Sequence, residues 1–158
     1  MAATTANFGL RKPNQADTFG TWLEAHNANM DKIDALPLPV QSGSNTQLAY
    51  QKFSDGTLHM YGSVDYGATH PCTIQWAAAA GWASDDITLN FPVKLADTGY
   101  CMSAFVQTDK NPDIWCVSNK ARSTSSFTFC FLCSINESTS QYGVNKKVLN
   151  LDIWGRWK

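Results

Sequence analysis

Tyr50-Gln51-Lys52-Phe53-Ser54-Asp55-Gly56-Thr57-Leu58-His59-Met60-Tyr61 is the stretch whose reading decides the fold class. Two short runs of aromatic and β-favouring residues flank Ser54-Asp55-Gly56, a turn sequence whose glycine tolerates the backbone that joins antiparallel strands. The same period of two recurs downstream. Ile87, Leu89 and Phe91 alternate until Pro92 ends the run. Tyr100, Met102, Ala104 and Val106 alternate against Cys101, Ser103 and Phe105. Ile114-Trp115-Cys116-Val117 follows a turn at Asp109-Lys110-Asn111-Pro112, and Phe127, Phe129, Phe131 and Cys133 alternate against Thr128, Cys130 and Leu132. Leu149, Leu151 and Ile153 close the series against Asn150, Asp152 and Trp154. Short alternating runs separated by turn residues predict a mainly β chain, an antiparallel β-sandwich or open barrel. A chain that ends on Trp154-Gly155-Arg156-Trp157-Lys158 within such a pattern predicts a last strand tied into the core.

Upstream the period changes. Phe19, Trp22, Leu23, Met30 and Ile33 fall on one helical stripe, with His26 between Leu23 and Met30. The helix is predicted over 17–34, with Asp17 or Thr18 as its cap and Pro37 and Pro39 forbidding continuation. A single amphipathic helix cannot bury its stripe alone. It is therefore expected to attach the chain to copies of itself or to another protein. The predicted organisation is an N-terminal attachment segment at 1–36, a Pro- and Ser-rich linker at 37–49 and a β-sandwich at 50–158. Residues 62–86 exceed what joining two strands requires and predict an excursion that contributes to recognition.

Composition narrows the function. Of 158 residues, 44% are hydrophobic, enough for a core, but only 16% are charged, against a usual quarter. Such a surface must be filled by Ser, Thr, Asn, Gln and aromatics, a composition that suits binding faces and subunit contacts. The net charge of −1, with Arg11-Lys12 and Lys146-Lys147 the two adjacent basic pairs and no longer basic run, argues against nucleic acid, whose phosphates demand clustered cations. The N-terminal residues show neither a charged nor an apolar leader region, and the Ala-rich stretch at 76–83 is far too short to span a bilayer. A soluble chain without membrane insertion is expected.

Catalytic and metal chemistry find little support. The five cysteines, Cys72, Cys101, Cys116, Cys130 and Cys133, are an odd number and are expected to be reduced thiols. Cys130 and Cys133 have a metal-type spacing but lack a second pair, and in a strand an offset of three points them to opposite faces. Asp85 and Asp86 diverge in the same way, so they make poor glycosidase partners. No nucleophile elbow or phosphate-cradling glycine loop is present. The chain is expected to be no enzyme and to need no cofactor or metal. Sugar binding asks for less: an aromatic face to stack on pyranose C–H groups and a few polar groups to fix hydroxyls. Tyr66, Trp76, Trp82 and Trp115 are the aromatic candidates, with Asn119 and Arg122 as polar partners.

Several of these pieces resemble a known pattern. Tyr50 to Thr57, Ile87-Thr88-Leu89-Asn90-Phe91-Pro92-Val93 followed by Ala96-Asp97-Thr98-Gly99-Tyr100, Val117-Ser118-Asn119-Lys120 leading to Ser125-Ser126-Phe127-Thr128, and the ending Ile153-Trp154-Gly155-Arg156-Trp157 are similar to C-terminal domains of bacteriophage tail-fibre and receptor-binding proteins. Asn7-Phe8-Gly9-Leu10-Arg11-Lys12-Pro13 and Asn29-Met30-Asp31-Lys32-Ile33-Asp34 resemble the segment that fixes short fibres to the virion. The resemblance covers 7–34 and 50–158. It implies an H-type-lectin-like sandwich, assembled as a homotrimer, that recognises host cell-surface carbohydrate. It also implies an N-terminal contact with another virion protein, in a virion assembled in the host cytoplasm. A ligand-free structural or decoration fibre, its aromatics buried between subunits, is the alternative.

Overall fold

The computed structural model describes residue 10 and residues 18–77, 81–110 and 115–158. One helix and ten strands follow in order: α1 (Phe19–Asp34), β1 (Pro39–Ser44), β2 (Ala49–Phe53), β3 (Thr57–Gly67), β4 (Ile74–Ala77), β5 (Gly81–Ala83), β6 (Ile87–Asn90), β7 (Cys101–Thr108), β8 (Trp115–Arg122), β9 (Ser126–Cys133) and β10 (Lys147–Arg156). The chain divides into two compact units, residues 1–38 and 39–158.

The helix is the one its stripe predicts. Of the two cap candidates Thr18 takes the role, its hydroxyl accepting from the Thr21 amide at 3.3 Å. Asp17 and most of the 7–13 motif lie outside the described residues. Phe19, Trp22 and His26 stack in succession along the helix, with ring centroids 6.3 and 5.4 Å apart. Phe19, Trp22, Leu23 and Met30 are all exposed.

The second unit is a sandwich of two antiparallel sheets. One has the order β1-β2-β3-β10-β7; the other runs β4-β5-β9-β6, with β8 also paired to β9. β5 and β6 meet β9 at successive positions, Ala83 opposite Leu132 and Ile87 opposite Phe129, so they act as one interrupted strand. The hairpin of β2 and β3 turns at Gly56, whose φ of +90° is a conformation only glycine holds without strain. Alternation then builds the core. Leu58, Met60 and Val64 of β3 and Leu149, Leu151 and Ile153 of β10 pack against Phe127, Phe129 and Phe131 of β9, with Ile87 and Leu89 of β6. Trp157 packs against the edge of this core, its indole donating to the Phe53 carbonyl at 3.1 Å.

Two expectations change. The stretch 37–49, read as a linker, carries β1, which pairs with β2 from Pro39 opposite Phe53 to Ser44 opposite Ala49. All six β1 residues are exposed, so no buried side marks the strand in the sequence. The excursion read over 62–86 is shorter than it looked, because β3 continues to Gly67 and β4 and β5 form a hairpin. Gly62 interrupts the apolar alternation there for a steric reason: a Cβ would fall 2.7 Å from the Gln47 carbonyl oxygen.

The loop between β3 and β4 is held by a buried ion pair. Lys147 and Glu137 have fully buried side chains and sit 2.9 Å apart. The Glu137 carboxylate accepts from the Cys72 amide at 2.7 Å and from the Asn145 amide at 2.7 Å, while the Lys147 ammonium donates to the Asn145 carbonyl at 3.1 Å. The Cys72 carbonyl in turn accepts from the Glu137 amide at 3.1 Å. Burial pushes the Glu137 carboxyl up, but the donors from Asn145, Cys72 and Lys147 outweigh it and hold the group below the usual carboxylate range. A carboxyl lowered on folding contributes stability above its unfolded pKa, and that contribution disappears as pH falls through the folded value. Glu137→Gln is expected to cost about 3–5 kcal/mol at neutral pH, since it leaves Lys147 charged and unpaired in the core. Urea unfolding across pH checks this. The wild-type advantage shrinks on acidification, whereas equal stability of both proteins at neutral pH contradicts it.

Candidate functional site

The six residues read as sugar contacts divide by burial. Tyr66 packs edge-on against Phe129 and Phe131, with centroids 5.9 and 5.6 Å apart, and its hydroxyl is buried without a partner among the described residues. Burial pushes the Tyr66 phenol up to about 12. Trp82 and Trp115 flank Cys133 from opposite edges of β9 and pack against the core, with the Lys147 ammonium 5.1 Å from the Trp115 ring. Trp82 and Trp115 lean inward because their register places them beside Cys133, which is buried, and Tyr66 does so from the other sheet by packing on Phe129 and Phe131. Trp76 is 59% exposed, its ring lying over Gly81, where a Cβ would meet it at 2.6 Å. Asn119 and Arg122 are exposed on β8, and the Arg122 guanidinium donates to the Tyr100 carbonyl at 3.0 Å. None of the six lines either of the two grooves on the outer face of β3, β10 and β7.

Another face does gather binding chemistry. β10 lies between β3 and β7, and its outward residues form rows across the three strands. Trp154 stands between His59 and Cys101, Asp152 between Tyr61 and Ser103, Asn150 between Ser63 and Phe105, and Val148 between Asp65 and Gln107. The inward residues of the same strands fill the core, so alternation leaves this set no other side.

The rings on this face are ordered. His59 stacks on Trp154 with centroids 4.0 Å apart and planes at 9°, Phe53 also stacks on Trp154 at 6.5 Å, and Tyr61 lies 4.8 Å from His59. Asp152 holds His59 through Nε2 at 2.6 Å, fixing the imidazole in the stack. Tyr61 and Phe105, 41% and 64% exposed, overlook a groove of about 320 Å³. Ser63, Ser103, Asn150 and Asp152 also line it. The Ser63 hydroxyl donates to the Asn150 side-chain oxygen at 2.6 Å, while the Asn150 amide nitrogen is buried and has no partner among the described residues. Such an orphan donor costs about 1–3 kcal/mol. A second groove of about 200 Å³ continues the line, bounded by Asp65, Gln107, Thr108, Asp109, Lys146 and Val148.

Residue type and local pattern alone do not mark Tyr61, Ser63, Ser103, Phe105, Asn150 and Asp152 as sugar contacts. The available signal was the outward half of each alternating run. It converges only once residues as distant as His59 and Asp152, 93 positions apart, are placed side by side.

Two solved structures resemble the chain. An N-truncated R1-type pyocin tail fibre matches with a TM-score of 0.51 at 16% identity, over 90% of this chain and 99% of that one. A C-terminal part of the R1 pyocin fibre of P. aeruginosa matches with a TM-score of 0.47 at 18% identity, over 98% of this chain and 35% of that one. No protein-family model and no curated protein matches. The likeness to the first structure establishes a tail-fibre-like fold.

Tyr66→Phe separates packing from binding at the sequence-derived candidate. The hydroxyl has no partner, so its removal is expected to leave stability unchanged or raise it by up to about 1 kcal/mol. Urea unfolding measures this, and a loss above about 1 kcal/mol would show that the hydroxyl is held.

Proposed function

We propose that this chain is a tail-fibre receptor-binding protein of a virion, a non-catalytic, lectin-like domain that attaches to host cell-surface glycan. The groove between Tyr61 and Phe105 carries this reading. Two exposed rings offer surfaces for the C–H faces of a sugar ring, and Ser63, Ser103, Asn150 and Asp152 supply donors and acceptors for its hydroxyls. Apolar walls with a few placed polar groups are the usual make-up of small-ligand sites. The tail-fibre-like fold supports a place on a virion.

The working form is a homotrimer. Its support is the exposed stripe of α1, where Phe19, Trp22, Leu23 and Met30 stand in solvent on a 16-residue helix. Apolar stripes of that kind are normally covered, and copies about a symmetry axis cover one another. The N-terminal unit would also carry the contact to another virion protein.

A glycan array with the purified protein, together with its molar mass by light scattering, tests the reading. The expected result is a threefold mass and binding to a restricted set of bacterial surface glycans. Tyr61→Ala and Phe105→Ala are each expected to weaken that binding by about tenfold or more, with thermal unfolding unchanged, because both rings lie outside the core. A monomer at micromolar concentration contradicts the trimer. Unchanged binding in both variants contradicts the groove.

A further inference from the structure

We infer that the ligand is an extended, linear polysaccharide held along its length, and not a terminal sugar gripped by its end. The inference rests on the glycan reading above and deepens it. Three features fall in one line on the outer face of β3, β10 and β7, with Phe53 of the neighbouring β2 at its edge. The stack of Phe53, Trp154 and His59 lies at one end and the Tyr61–Phe105 groove in the middle. The polar groove of Asp65, Gln107, Asp109 and Lys146 lies at the other. From Trp154 to Val148 is six residues of strand, or about 20 Å at roughly 3.3 Å per residue. Three strands make the band about 10 Å wide.

The chemistry changes along the line as a chain molecule requires. Stacking surface dominates near Trp154, stacking and hydrogen bonding combine at Asn150, and hydrogen bonding dominates beside Gln107. A compact pocket for a sugar end would close around its ligand, with converging polar groups at one depth. This face instead runs lengthwise, its long axis following three paired strands. The central orphan, the Asn150 amide nitrogen, would sit under the middle of the chain. Lys146 adds a cation at the polar end, where Asp65 and Asp109 are already engaged by the Gly67 and Lys146 amides. That mixture suits hydroxyl-rich sugar units and gives no preference for a highly charged chain.

Length dependence tests this. The probe is surface polysaccharide extracted from a bacterium that the protein adsorbs to, partially hydrolysed and fractionated into fragments no longer than the band. Fragments of that size cannot bridge two copies, so avidity does not enter. Isothermal titration of the full chain is expected to show affinity rising by about tenfold or more from the shortest fragments to the longest. The double variant Gln107→Ala, Lys146→Ala, both residues exposed, is expected to return the longest fragments to the affinity of shorter ones and to leave the shortest unchanged. Equal affinity at every length overturns the extended-chain inference and leaves glycan binding standing. A uniform loss in the double variant also overturns it, since the polar groove would then belong to one compact site. Failure of all fragments to bind overturns the inference together with the reading beneath it.

Discussion

The register of β10 is the constraint on which the rest depends. Lying between β3 and β7, it fixes both neighbours at once: Ile153 stands opposite Met60 on one side and Met102 on the other, and Leu151 opposite Gly62 and Ala104. Period-two geometry means that a slip of one residue would carry Leu149, Leu151 and Ile153 into solvent and turn Asn150, Asp152 and Trp154 toward Phe127, Phe129 and Phe131. That exchange is prohibitive on both faces, so a single register survives. The outward rows, and with them the groove, are a by-product of the same choice. Gly155 completes the fit, since a Cβ there would collide with the Leu95 side chain.

A binding face on a sheet needs a rigid support, and the inner layer supplies it. The three phenylalanines of β9 interlock, Phe127 stacked on Phe129 at 5.3 Å and Phe129 edge-on to Phe131 at 5.4 Å. At the end of that row the Glu137–Lys147 pair ties the segments on either side of β4, β5 and β9 to the first residue of β10. A buried pair of this kind is weak evidence for added stability, because desolvation offsets much of its attraction. Its role is geometric: Glu137 also accepts from the Cys72 and Asn145 backbone amides and the Asn145 side-chain amide, and Lys147 reaches the Asn145 carbonyl, so the pair pins these loops to one another.

Much of this was legible in the chain. The Tyr50–Tyr61 hairpin, the helix and its stop, the inward series of β6, β7, β9 and β10, and the tethered ending all follow from local periodicity and turn chemistry. Two kinds of information were not local. β1 has no buried face, so it forms because β2 offers an open edge, and nothing in its own residues announces that. The sequence also marked tryptophans as candidates by their size and their loops, yet Trp82 and Trp115 are drawn inward by pairing with Cys133. The small outward residues that line the groove, Ser63, Ser103 and Asn150, carry no individual signal. They matter only because strands 40 to 90 residues apart in sequence lie side by side, and that is a property of topology.

The most direct test of the account maps the contact surface residue by residue, by NMR chemical-shift perturbation with a bound fragment of surface polysaccharide. Perturbations are expected to concentrate at Tyr61, Ser63, Ser103, Phe105, Asn150 and Asp152, fading toward His59 and Gln107 at the ends of the band. Perturbations centred instead on Trp76, Asn119 and Arg122, with the outer face of β3, β10 and β7 silent, would contradict it.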